Sequence, residues 1–168
     1  MGDILGKFIV IIFGTLFIFF VPITIIALKQ DNASQAYIDN AVVEFVDNAR
    51  ASGRITPNAY ESMCEKIYAA HPHCSIKMYH GAKYSLPDTP GKFVARNDYY
   101  TEDEILSVMG YGSSTMRDYE LKEGDYLKVV VQNQSPTLGG ALVSSIVVGY
   151  DTNNLFVSYG GYVGNNIQ

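Results

Sequence analysis

The stretch FIVIIFGTLFIFFVPITIIAL, from Phe8 to Leu28, constrains this chain more than any other feature. It holds 21 residues without a charge and without Asn, Gln or His. At about 1.5 Å of rise per residue it makes a helix of roughly 31 Å, close to the hydrocarbon thickness of a bilayer. Secretory signals have shorter apolar cores, about 7–15 residues. A cleavage site is also poorly placed. Ser34 and Ala36 are small, but the polar KQDN stretch separates them from the apolar run. A soluble core helix would show a polar face, and this one has none. The expectation is a retained membrane helix at 1–28, tail included, followed by an extracytoplasmic α+β domain at 29–168.

Orientation is weakly marked. Lys7 and the terminal amine precede the span and Lys29 follows it, with Asp3 and Asp31 offsetting them, so the positive-inside rule nearly ties. A short N-terminal tail suits an inside start and a head outside the cytoplasm. The chain carries 12 Lys and Arg against 17 Asp and Glu, a net charge of −5. That balance argues against nucleic-acid binding and against docking on anionic lipid. All the tyrosines lie beyond the span. Tyrosine fills strands, and it also favours contact surfaces.

No Gly or Pro interrupts Lys29 to Gly53. Tyr37, Ala41, Val42, Phe45, Val46 and Ala49 recur at helical spacing, so one helix of about 45 residues is expected, half in lipid and half in water, with Gly53 at its C-terminus. Thr56 and Pro57 then mark a second helix, with Tyr60, Met63, Cys64, Ile67 and Tyr68 on its apolar face and Pro72 at its end. CSIKMYHGAKYSL alternates like a strand. PDTPGKFVARND reads as a loop. Thr101 and Glu104 form a capping-box pattern for a short helix. MRDYELKEGDYLKVVVQNQ reads as a hairpin around KEGD, with Leu127, Val129 and Val131 on one face. SPTLGGALVSSIVV has helix-start signals at Ser135 and Pro136 but is too short to span a bilayer. NLFVSYGGYVG is a last strand, with Leu155, Val157 and Tyr159 on one face. The expected fold class is α+β: a long transmembrane helix extended into an amphipathic helix, then a small, mostly antiparallel sheet of about four strands with short helices.

Chemistry is sparse. There is no GxSxG, P-loop, HExxH or strand-borne GxGxxG. His71, His73 and Cys74 meet in HPHC with His80 nearby, but Pro72 restrains the turn and loop histidines are the default reading. Neither an enzyme nor a cofactor or metal site is expected. Cys64 and Cys74 are the only cysteines. In a reducing compartment they would be two small core residues, but outside it their spacing suits an ordinary disulfide loop, and with the head outside the cytoplasm a Cys64–Cys74 disulfide is expected.

Pro22 late in the span would bend the helix axis, with Thr15 and Thr24 offering hydroxyls and Gly14 a point of close helix approach. An apolar N-terminal helix with a late proline, running into an amphipathic helix and a small β-rich head, resembles type IV pilin-like subunits. The order of ARASGRITPNAYESM, LKEGDYLKVVVQNQSPT and LFVSYGGYV resembles more closely the TadE-like pseudopilins of Tad/Flp-type pilus systems in Gram-positive bacteria. The resemblance implies a non-catalytic membrane subunit that helps assemble a pilus or secretion apparatus, with the bilayer and other pilin-like or platform proteins as partners. It does not extend to processing: no glutamate follows Gly2 or Gly6 in the span. Phe8, Gly14, Pro22 and the Tyr37–Ala49 stripe would form the assembly helix. Two other readings stay open, a single-span binding or sensing domain and a structural part of a conjugation or secretion channel. A filament subunit would leave the Tyr37–Ala49 stripe exposed, whereas a sensor would bury it in its own head.

Overall fold

The computed structural model describes residues 2–89, 92–147 and 155–164. The long helix is continuous: α1 runs Gly2–Ser52 through Pro22 and stops at Gly53, which takes the left-handed backbone (φ 68°) that glycine tolerates best. Strand β1 (Arg54–Ile55) leads into α2 (Pro57–Ala70). Thr56 caps α2 by accepting the Ala59 N–H, with Pro57 in the first turn. Strands β2 (Cys74–Thr89) and β3 (Lys92–Thr101) follow, then α3 (Glu102–Met109), β4 (Tyr119–Glu120), β5 (Tyr126–Asn133), α4 (Leu138–Ser144) and β6 (Phe156–Tyr162). Thr101 and Glu104 form the expected capping box on α3.

Among the described residues two sheets form, both antiparallel. The larger has the order β3-β2-β5-β6, and the smaller pairs β1 with β4. Two expectations are corrected. PDTPGKFVARND is not simply a loop, because β2 extends to Thr89 and β3 starts at Lys92, pairing Pro87 with Phe93. The KEGD turn does not join paired strands either. β4 pairs with β1, Ile55 opposite Tyr119, while β5 enters the large sheet. A two-residue strand has too few ladder bonds to dictate its partner locally, and burial of Ile55, Tyr119 and Leu121 decides it.

The inner face of the large sheet carries Ile76, Met78, Leu127, Val129, Val131 and Val157, all buried. Against it pack the upper half of α1, then α2 (Tyr60, Met63, Ile67) and α3 (Ile105, Met109). Alternation along β5, buried at every second residue, is what a sheet with one covered face requires. The opposite face of the sheet is largely exposed.

Candidate functional site: the bare span, the buried polar centre and a tyrosine row

The lower half of α1 stands apart from the core. Phe8 is 63% exposed and Phe17 64%, and most apolar residues from Ile9 to Ile26 are similar. Such a surface is stable only when hydrocarbon replaces water, so this helix is long and apolar enough to anchor the chain in a membrane once. Its polar side chains are adapted to that surrounding. The Thr15 hydroxyl donates to Ile11 O at 2.8 Å and the Thr24 hydroxyl to Phe20 O at 2.9 Å. Pro22 sits inside the helix without interrupting it. A Cβ built on Gly14 would meet nothing within 4 Å.

The stripe above the span behaves differently. Ala41, Val42, Phe45, Val46 and Ala49 are buried in the chain's own head. Phe45 meets the Tyr60 ring edge-on at a centroid distance of 6.5 Å. Tyr37 does not belong to the stripe: it is 50% exposed, and Ile38 is buried in its place. Ile38 lies one turn before Val42 and joins the buried cluster with it, while Tyr37 falls on the exposed side of the helix. From Ala41 to Ala49 the stripe is therefore private core, the outcome expected of a single-span binding or sensing domain and not of a filament subunit.

The expected Cys64–Cys74 disulfide is corrected: both are free thiols, held on separate elements, α2 and the start of β2. Cys64 is half-buried on α2, and Cys74 is buried at the start of β2. Burial pushes the Cys64 thiol up to about 11 and also raises Cys74, so neither is readily ionised at neutral pH. Nearby, Tyr60 donates to the half-buried Glu102 carboxylate. Burial is the main cause of the raised Glu102 carboxyl, with the Tyr60 bond opposing it.

A polar centre missed in the sequence lies under the sheet. His80 and Asp125 are both buried, with His80 Nε2 at 3.0 Å from Asp125 Oδ2 and His80 Nδ1 at 2.8 Å from the Tyr119 hydroxyl. Asp125 also accepts N–H groups from Lys83 (3.1 Å) and Lys122 (2.8 Å). Burial alone would raise this carboxyl, but these bonds and His80 hold it below the usual aspartate range. An ionised carboxylate only accepts, so Nε2 carries the proton, and in the neutral ring Nδ1 accepts from Tyr119. Burial pushes the Tyr119 phenol up to about 12. The His80 ring stacks on Tyr100 at 5.6 Å. Every polar atom of this centre is committed to tying β2, β4 and the turn before β5 together. His80 is therefore not part of a site with His71 and His73. Among the described residues no cluster of His, Cys, Asp or Glu is placed to hold a metal ion. The alternation of His80 with Ile76 and Met78 was the sequence signal for its burial. Nothing local linked it to Asp125.

On the exposed side of the sheet, register aligns Tyr99, Gly81, Tyr126 and Tyr162 in one row across all four strands. Gly81 leaves a dip in the row, bordered by the Tyr99 ring and by Tyr126. With Lys83 and Asn97 these residues line an open hollow of about 390 Å³. Tyr99 is 75% exposed, and Tyr126 and Tyr162 have ring centroids 5.0 Å apart. Aromatic faces beside an amine and an amide suit contact with a partner; the hollow contains no acid–base pair. No family model, curated protein or solved structure matches this chain.

Proposed function

We propose that the chain is a non-catalytic, single-span membrane subunit of the pilin-like, TadE-like kind, which contributes to assembly of a pilus or secretion apparatus with its head outside the cytoplasm. One observation carries this reading: a single unbroken helix, α1, serves as bare apolar anchor below and as core spine of an antiparallel head above. With Ala41, Val42, Phe45, Val46 and Ala49 consumed by the head, subunit contact falls to the span itself. Helices in lipid associate through close packing and internally satisfied backbone. The open surface at Gly14 and the bonded hydroxyls of Thr15 and Thr24 meet both conditions.

Intramembrane crosslinking tests this. Full-length protein with Cys64 and Cys74 replaced by alanine would carry one new cysteine at Phe8, Gly14 or Ile18, in membranes of cells that make the whole apparatus. Crosslinked homomers or a discrete platform adduct from at least one position are expected. Monomer from all three would refute assembly through the span. Burial of the stripe and the tyrosine hollow favour a second reading, a single-span binding domain. In that case partner crosslinking would depend on Tyr99 and Tyr162 and not on any span position.

A further inference from the structure

We propose that α4 and the residues after it, Leu138–Val147, form a second membrane-embedded element, which descends beside α1 into the head-side half of the bilayer. The proposal rests on reading Phe8–Leu28 as a membrane span. It goes beyond that reading, because it places part of the head in lipid.

Position comes first. Gly139 donates its N–H to Asp31 at 2.9 Å, and a Cβ there would lie 3.0 Å from the Leu28 backbone nitrogen. The start of α4 therefore sits level with the end of the apolar span. Farther on, Ser145 and Ile146 share an apolar cleft with Leu16, Phe17 and Phe20. At about 1.5 Å per residue, Phe20 and Leu16 lie roughly 12 and 18 Å below Leu28. That depth is about half of a hydrocarbon core roughly 30 Å thick. The two helices run antiparallel, in contact through small residues: Ala27, Gly139 and Gly140 are all buried. Small side chains at such a crossing allow the close approach on which helix packing in lipid depends.

Composition and hydrogen bonding agree with the position. From Ser135 to Tyr150 the sequence has no Asp, Glu, Lys, Arg or His. Ile146 is 61% exposed, and Leu138 and Val147 are exposed too, so an apolar surface continuous with the bare span faces outward. Membrane depth demands internal satisfaction of polar groups. The Ser144 hydroxyl donates to Ala141 O at 3.0 Å and the Ser145 hydroxyl to Leu142 O at 2.6 Å, repeating what Thr15 and Thr24 do on α1. Thr137 accepts the Gly140 N–H and Asp31 the Gly139 N–H, which covers two N–H groups of the first turn at the boundary. Acyl chains are thus the occupant of the exposed α4 face. The consequence is mechanical: the head is held at fixed height and rotation on the membrane by two elements.

The chain has no tryptophan, so a single introduced one reports its own surroundings. Full-length I146W, F17W and F156W would be reconstituted in phosphatidylcholine–phosphatidylglycerol vesicles, with and without acyl-brominated lipid. All three sites are exposed in the isolated chain, so substitution leaves the core intact. I146W is expected to emit at the blue-shifted wavelength of F17W and to be quenched comparably, several-fold more than F156W on the outer sheet face. Quenching of F17W with I146W behaving like F156W would overturn the proposal alone. Failure of both to quench would overturn the span as well. Blue-shifted I146W emission that resists bromine and disappears as chains are diluted in lipid would mean that a second copy covers the face, and would also overturn it.

Discussion

Nε2 of His80 lies 3.0 Å from Oδ2 of Asp125, with both side chains sealed from water. The same carboxylate holds the Lys83 and Lys122 N–H groups. Asp125→Ala would leave buried donors without acceptors, at a cost of about 3 kcal/mol or more. Denaturant unfolding of the full chain in detergent, followed by near-ultraviolet tyrosine signals, would measure it.

The same group sets an acid dependence. An unfolded aspartate titrates near about 3.9, and Asp125 is held lower in the folded chain. Its contribution to stability is therefore complete above the unfolded value and is lost as pH falls through the folded one. Stability of the wild type should drop steeply below about pH 4. In Asp125→Asn, already weakened, that portion of the acid limb should be flatter. Equal slopes would assign acid unfolding to other carboxylates.

Phe45 is a core residue of the head. Phe45→Ala should cost about 3–5 kcal/mol, and Phe45→Asp should unfold the head, because it places a carboxylate at a buried position against the Tyr60 ring. Protease susceptibility of the head would report it. A folded Phe45→Asp head that fails only in assembly would contradict the burial described above.

The thiols should be silent in the folded chain. With Cys64 pushed up to about 11 by burial and Cys74 raised, iodoacetamide at neutral pH should leave both unmodified. After denaturation without reductant, intact mass should show two alkylations. Absence of alkylation in the unreduced, denatured chain would establish a disulfide after all.

Tyr99 is available to a partner at little structural cost. Its ring borders Gly81 but is otherwise in solvent, so Tyr99→Ser should lower stability by at most about 1 kcal/mol. If the tyrosine row is an interface, partner crosslinking should fall while the unfolding midpoint barely moves.

The long helix, its stop at Gly53, the Thr56 and Thr101 caps and the single-faced alternation of β5 were all legible in the sequence. Each depends on interactions within a few residues: carbonyls and N–H groups one turn apart, or side chains alternating about one strand. The sequence also determined that one end of the chain is too apolar for water, because length and absence of charge suffice for that. What it left open were choices between near-equal local options. Tyr37 and Ile38 both fit the helical stripe, and only the packing of α1 into the core of the head buries the second. β4 could have paired with β5, and burial beside Ile55 sends it to β1 instead. Cys64 and Cys74 are close in sequence, yet the fold stores them as separate thiols. His80 found Asp125, and Gly139 found Leu28 and Asp31, across distances in sequence that no local pattern encodes. Those pairings follow from how the packed layers exclude water from one set of polar groups and bring two helices into contact at residues without bulk.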